Sequence, residues 1–356
     1  MVNDIISVVM SIGENEKEEN VSRTIDSLKE NSTYKLEFIF LADGWTPEDM
    51  PDDFIVKSYP EKVGVRVSLN EGVELASGEY ILRLDAHCSM SKGWDLELVK
   101  HCKDDTICVS VIDVLIEETW EVKKHSYGFV YINPSCEEKW WGRYPKQNKD
   151  IDCEPTMSFT GCGWLCKRNF YLKSLKLDEK NSKWGCLGPD LTLRAYKAGG
   201  SILLCKNVIC GHVFNTNSSG YPISEVAKTR KHVLSRYSKY LYEAAKKFNA
   251  PGWENITEDY ILNYERDFMY RTDVSKKVEQ EVKDADGKVI RKIIKEYKAV
   301  PYNGKENPDI PEIGRKIAEG AEVKRIKIAE LNEDNTWEFS VLESKNEIDL
   351  WLFENE

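Results

Sequence analysis

Tyr80-Ile81-Leu82-Arg83-Leu84-Asp85-Ala86-His87-Cys88 is an apolar run that ends in a carboxylate and, two residues later, an imidazole. The first five residues are apolar enough for a core strand. Asp85 and His87 therefore arrive at its carboxyl end, the edge where open α/β sheets bind ligands. A carboxylate oxygen with an imidazole nitrogen suits a borderline divalent ion and leaves positions for the oxygens of an anionic ligand. A second histidine stands far downstream in Cys210-Gly211-His212-Val213-Phe214 and is the candidate to close the set.

Working outward, the segments on both sides alternate between strand and helix patterns. Residues 5–12 read as a first strand, and 17–30 as an amphipathic helix with Val21, Ile25 and Leu28 on one face. Strands follow at Leu36–Leu41, ending in Ala42-Asp43-Gly44-Trp45, and at Phe54–Ser58. A helix over 66–76 stops at Ala76-Ser77-Gly78. This order predicts an α/β fold with a largely parallel sheet in three layers. Residues 107–116 form a further long strand, 133–155 a loop over the site, and 188–198 and 224–247 helices. Asn249–Ile256 reads as a boundary, giving a main domain over 1–248, a helical linker over 249–275 and a smaller C-terminal β-rich domain over 276–356. In that last part, 276–299 alternate around Asp284-Ala285-Asp286-Gly287-Lys288, a hairpin signal. Three short strands are expected after Pro301-Tyr302-Asn303-Gly304.

Composition narrows the class. At 356 residues the chain is long enough for one large domain and a smaller one. A formal charge of −11 argues against indiscriminate coating of nucleic acid, while local basic patches stay open. No stretch reaches the roughly 18 apolar residues of a membrane span. Met1-Val2-Asn3-Asp4-Ile5 lacks the basic and then apolar regions of a secretion signal. The ten cysteines are thus expected as mostly reduced thiols, in a cytoplasm.

Taken in order, the motifs of residues 5–240 resemble those of the polypeptide N-acetylgalactosaminyltransferases, within the larger GT-A glycosyltransferases. The resemblance runs through Ile6-Ser7-Val8-Val9-Met10, Asp43, Lys62-Val63-Gly64-Val65, Asn70-Glu71-Gly72 and Asp85-Ala86-His87-Cys88. It continues through Pro155-Thr156-Met157, Gly161-Cys162-Gly163-Trp164, Trp184-Gly185 to Asp190 and Arg194, Gly199-Gly200, and Cys210-Gly211-His212-Val213-Phe214.

The resemblance implies a GT-A (Rossmann-like) nucleotide-sugar-binding domain with a UDP-sugar donor and Mn²⁺ or Mg²⁺. Asp85, His87 and His212 would hold the metal, which neutralises the departing diphosphate as a Lewis acid. Asp43 would face the uridine, and Arg66, Asp85 and Tyr221 would join it in contacting the donor. Gly161 and Gly163 would let backbone approach the sugar. Trp184 and Asp190 are the candidate catalytic residues. The resemblance implies retention of anomeric configuration, with the leaving phosphate taking the acceptor proton; in an inverting transfer Asp190 would act as general base. Two departures stand out: Asn215 replaces an arginine after Gly-His-x-Phe, and Leu187 replaces a glutamate between Trp184 and Asp190.

Other readings compete at the same residues. Asp85 alone would serve as the cap of a helix over 92–104, and His87 or His212 as buried structural imidazoles. Cys162, Cys166, Cys205 and Cys210 would make a zinc set, although their spacing is not that of a standard knuckle. Trp140, Trp141 and Trp184 fit either a core or an acceptor platform.

The acceptor stays open between two classes. The chain shows neither the membrane anchor nor the lectin domain of the mucin-type enzymes, and soluble relatives of this type occur in bacteria and bacteriophages. One acceptor class is therefore a 5-hydroxymethylpyrimidine in DNA; the other is a protein, glycan or lipid-linked hydroxyl. A non-catalytic UDP-sugar-binding protein is the third reading. Lys228, Arg230, Lys231, Arg236, Lys239, Lys246 and Lys247 lie on one segment, either a strip that meets phosphates or a solvated helix face.

Overall fold

The computed structural model describes residues 5–46, 53–141, 148, 150–214, 221, 223–257, 277–284, 287–297, 323–331 and 337–342. The chain divides into two compact units, Met1–Tyr264 and Glu265–Glu356.

In the first unit, β1 (Ile5–Gly13) leads to α1 (Glu18–Asn31), β2 (Lys35–Asp43), β3 (Ile55–Tyr59), α2 (Val65–Leu75) and β4 (Tyr80–Arg83). Next come β5 (Cys88–Met90), α3 (Trp94–His101), β6 (Thr106–Ile116), β7 (Glu121–Tyr127), β8 (Val130–Ile132), β9 (Glu138–Trp140) and β10 (Cys153–Pro155). The unit closes with β11 (Trp164–Lys167), α4 (Arg168–Phe170) with a π turn at Tyr171–Leu175, α5 (Leu187–Lys197), β12 (Ser201–His212) and α6 (Ile223–Phe248).

The main sheet runs β10-β12-β6-β11-β4-β1-β2-β3, with β5 on β12 and β7 on β6. It is mixed rather than largely parallel. β1, β2, β3 and β4 are mutually parallel, as are β6 and β12, but β11 lies antiparallel between β4 and β6. Inserting one antiparallel strand keeps β4, β6 and β12 pointing the same way. The carboxyl ends of β1, β2, β4 and β12 consequently share one edge.

The alternation of β1 builds the three layers. Ile6, Val8, Met10 and Ile12 face a core shared with Leu28 of α1 and Trp94 and Leu98 of α3. Val9 faces the opposite core with Leu69 and Val73 of α2 and Leu191 and Ala195 of α5. A strand buried on both faces reads as a near-continuous apolar run, as Ile5–Ile12 does apart from Ser7 and Ser11. In α1, Glu18 and Glu19 in the first turn and Lys29 in the last complement the helix dipole.

Two expectations change here. The stretch 133–155 is not one irregular loop: β8 and β9 form a hairpin and β10 joins the sheet edge. The described part of the expected helical linker, 249–257, is neither helical nor a linker. Trp253 is buried there, and its indole Nε1 donates to the Ile132 carbonyl at 2.9 Å, so the segment packs as part of the first unit. Residues 258–276 lie outside the described residues.

The second unit holds a four-stranded antiparallel sheet, β13 (Lys277–Lys283), β14 (Val289–Tyr297), β15 (Val323–Leu331) and β16 (Trp337–Leu342), in that order. The hairpin is where the sequence places it. Asp284 N–H donates to the Lys288 carbonyl at 2.9 Å, and Gly287 takes φ +82° in the turn. Ile293, Ile326 and Ile328 form its small core. Two strands follow Gly304 among the described residues rather than three, and 301–322 and 343–356 lie outside them. No described helix is long and apolar enough to cross a membrane.

Candidate active site

The carboxyl edge gathers chemistry from four strands. Asp85 follows β4 by two residues, His212 ends β12, and the turn after β1 brings Glu16. One ligand atom from each of Asp85, His87 and His212 lies within 4.8 Å of the others. The Nε2 of His212 is 3.1 Å from Asp85 Oδ2, and the two imidazoles meet edge to face at 4.7 Å between centroids. The Val213 N–H donates to the His87 carbonyl at 3.1 Å and ties the two histidine segments together.

Electrostatics favour charge at this cluster. Burial raises the Asp85 carboxyl, but the Arg83 guanidinium, at 2.7 Å, together with His212 and His87, holds it well below the usual carboxylate range. Burial lowers His87, yet its hydrogen bond to Glu16 and the charges of Asp85 and Glu16 push it up to about 9. Glu16 Oε2 sits 2.8 Å from His87 Nδ1. That contact fixes the ring and leaves Nε2 as the nitrogen that could ligate a metal, the arrangement carboxylates give to metal-binding histidines. The Nδ1 of His212 is buried with no hydrogen-bond partner among the described residues. Oxygen and nitrogen donors this close, with an orphaned imidazole nitrogen among them, fit a divalent cation.

Asp43 ends β2 on the same edge and is largely engaged by the protein. Its Oδ1 accepts the Val63 N–H at 2.7 Å and the Gly64 N–H at 3.2 Å, and the Tyr221 hydroxyl donates to Oδ2. Burial and the Asp43 charge push the Tyr221 phenol up. The pair thus shapes the loop that starts α2.

Four expected site residues are held by protein neighbours. Asp190 is 0% exposed, 2.7 Å from Arg194 Nε and 3.4 Å from Arg66 Nη2. A carboxylate sealed from solvent between two guanidiniums has no path to an acceptor hydroxyl, so it is not the general base. Arg66 is equally buried and donates to the Ser182 and Gly185 carbonyls as well as to Asp190. It pins the loop that carries Trp184. Gly163 takes φ +69°, and a Cβ there would lie 2.5 Å from Ser110 Oγ. Its N–H and carbonyl bond Arg83 and Ser110, so it serves sheet packing. A Cβ on Gly161 would meet Leu187 at 3.1 Å, again a protein neighbour.

Trp184 is 36% exposed, and Trp140 and Phe214 are 42% and 45% exposed. Phe214 packs on His212 at 4.6 Å and meets the Trp140 ring at 6.3 Å, making an aromatic shelf beside the cluster. Glu138 stands two residues before Trp140 on β9 and therefore on the same face. Burial pushes its carboxyl up to about 7, while backbone N–H groups, including that of Gly188, and Arg230 only partly offset it. Glu16, Glu138 and Arg83 are the residues the sequence reading missed. Arg83 alone had a signal, as a cation inside an apolar strand.

Asn215 lies outside the described residues. The four-cysteine zinc set does not assemble: Cys162 and Cys210 cluster with Cys88, whereas Cys205 Sγ is 2.9 Å from Cys153 Sγ. The basic row on α6 is mostly engaged by neighbours. Lys228 pairs with Glu225 at 2.7 Å, Arg230 with Glu137 at 3.0 Å, Arg236 with Asp178 at 3.2 Å, and Lys246 reaches the Trp253 carbonyl at 2.9 Å.

Comparison with known proteins agrees with this architecture. Residues 7–174 match the family profile "Glycosyl transferase family 2". The chain is 28% identical over 183 residues to "Probable N-acetylgalactosaminyltransferase 6" of Caenorhabditis elegans, covering 49% of this chain and 29% of that protein. It is 26% identical over 196 residues to "Polypeptide N-acetylgalactosaminyltransferase 13" of Rattus norvegicus, covering 51% and 34%. The chain thus spans about a third of the length of these curated relatives. Among solved structures, it superposes on "Crystal structure of GalNAc-T7 with UDP, GalNAc and Mn2+" with a TM-score of 0.57 at 20% identity, covering 72% of this chain and 54% of that one. Residues 7–174 thus resemble a glycosyl transferase family 2 domain, and the superposition shows a fold of the GT-A type.

Proposed function

We propose that the first unit transfers a sugar from a UDP-sugar to a hydroxyl acceptor, using a divalent cation such as Mn²⁺ held by Asp85, His87 and His212. The observation that carries this reading is the convergence of those three side chains at the carboxyl edge of the sheet. The cation would supply Lewis-acid neutralisation of the leaving diphosphate. Glu16 orients His87, and Arg83 keeps Asp85 ionised. The Asp43–Tyr221 pair shapes the loop beside which the uridine would sit.

Retention of configuration is the outcome this arrangement favours. The base that an inverting transfer would have taken from Asp190 is buried between two arginines. The leaving phosphate then receives the acceptor proton. Glu138, on the same strand face as Trp140, is the carboxylate through which an inverting reaction would run.

The acceptor is read first as a hydroxyl of a polypeptide, the acceptor class in the name of a relative, and hence a serine or threonine side chain. A second reading, the hydroxymethyl group of a modified pyrimidine in DNA, draws support from the shelf of Trp140 and Phe214, since a flipped base stacks on aromatic rings. It draws little from α6, whose cations mostly hold acids of the protein itself.

Both readings are tested together by incubating the protein with Mn²⁺, pooled UDP-sugars, Ser/Thr peptides and duplex DNA containing 5-hydroxymethylcytosine or 5-hydroxymethyluracil. A gain of one hexose or N-acetylhexosamine on either acceptor, lost with a chelator and in Asp85→Ala, is the expected result. No sugar reaching any acceptor or water would contradict the reading.

A further inference from the structure

Three cysteines from three separate segments meet beside the Asp85, His87 and His212 cluster. Cys88 opens β5 next to His87, Cys162 stands two residues before β11, and Cys210 lies two residues before His212 on β12. All three are buried. Their sulfurs lie within 4.8 Å of one another, with Cys88 and Cys162 at 3.6 Å. The Asp85 N–H points at Cys162 Sγ from 3.4 Å, so the thiols adjoin the residues that form the oxygen and nitrogen site.

Buried cysteines often pack only as small apolar groups, and a contact of 3.6 Å is an ordinary one. Two features go further. The first is spacing: three sulfurs bound to one first-row ion through bonds of about 2.3 Å sit roughly 4 Å apart. The trio is already near that spacing, without any movement of the backbone. The second is Arg83. Its buried guanidinium gives one Nη to Asp85, while Nε and Nη1 have no hydrogen-bond partner among the described residues. Two unpaired buried donors are costly, and they belong to a cation bonded to Asp85, whose own N–H meets Cys162 Sγ.

We propose that Cys88, Cys162 and Cys210 form a three-coordinate thiolate site for a soft monovalent metal ion, Cu(I) being the first-row member, distinct from the neighbouring oxygen and nitrogen site for a divalent cation. Soft thiolates select Cu(I) and zinc over manganese or magnesium. Structural zinc almost always takes four ligands, and the described residues offer this cluster three. Binding exchanges the thiol protons for the ion and leaves net negative charge beside Arg83. It also clamps β5 to β12, the strands next to His87 and carrying His212.

The test is an anaerobic titration of the full-length, metal-stripped protein with Cu(I) against a chromophoric Cu(I) chelator, followed by X-ray absorption at the copper edge. The expected result is one Cu(I) per chain with three sulfur neighbours. Affinity should fall at least about 100-fold in Cys162→Ala, beyond the loss typical of a second-layer partner, and not fall in Asp85→Ala, which keeps the N–H that meets Cys162. Binding that depends on Cys205→Ala and not on Cys162→Ala overturns the proposal, as does binding through nitrogen or oxygen. If Cys162→Ala does not fold, the wild-type spectrum decides: three sulfurs support the site, and fewer, or no stoichiometric uptake, overturn it. Sugar transfer is not read in any arm, so this outcome is separate from that of the transferase reading.

Discussion

His87 is held by a neighbour that no spacing rule reaches. Glu16 lies 71 positions upstream, in the turn after β1, and meets the imidazole only because β1 and β4 are adjacent parallel strands. If it fixes the ring behind a metal ligand, Glu16→Gln should lower Mn²⁺ affinity by about 10–100-fold, read by titration with paramagnetic resonance. A value equal to wild type would remove Glu16 from the site. The raised His87 sets the pH dependence. Its pKa of about 9 in the metal-free fold means that a proton competes with the cation at neutral pH. Mn²⁺ affinity should therefore climb from pH 6 towards 9. In the metal-free protein the same group contributes stability that is full below the unfolded value of about 6.5 and is lost as pH rises through about 9. Denaturant midpoints measured across that interval check the sign.

At the scale of the element, the strand and helix patterns were largely legible, and what they could not show was which polar residues each element buries. Asp190 falls in the first turn of α5, where an acid suits the helix dipole and also reads as a candidate base. Only the approach of α2 reveals that Arg66 covers it, and that both serve to hold the Ser182–Gly185 loop. Removing Arg66 leaves Asp190 with Arg194 as its single counter-ion and the Ser182 and Gly185 carbonyls without their donor. Arg66→Met should thus cost about 2–3 kcal/mol in urea unfolding. A change below about 1 kcal/mol, the scale of an exposed pair, would contradict the buried role. Glu138 was illegible for a related reason. Its titration near neutrality comes from burial against α5, and a charged residue in a short irregular stretch carries no sign of that. Under retention, Glu138→Gln leaves the anomeric configuration and the transfer itself intact. Loss of transfer in this variant, restored by a small added carboxylate, would instead favour inversion through Glu138.

For the whole molecule, alternation announced a three-layer α/β unit but not strand direction. The four residues Trp164–Lys167 of β11 read the same in either sense, so the mixed sheet follows from tertiary pairing alone. The Asp85 and His87 pair was legible because both sit within one motif, and His212 because the resemblance supplied its distant partner. The end of the first unit was misplaced, since Pro251-Gly252 resembles a linker while Trp253 anchors the segment beneath β8. The second unit has its own small core. Deleting residues 265–356 should therefore leave Mn²⁺ affinity within about threefold of the full chain, a limit matching additivity of independent sites.

The central claim is that Asp85, His87 and His212 bind a divalent cation that in turn holds a nucleoside diphosphate. Calorimetric titration of the full chain with UDP, with and without Mn²⁺, tests it most directly. The account predicts UDP binding that requires Mn²⁺ and disappears in both Asp85→Ala and His212→Ala. UDP binding of equal strength in the presence of a chelator, or unaltered in those variants, would contradict it.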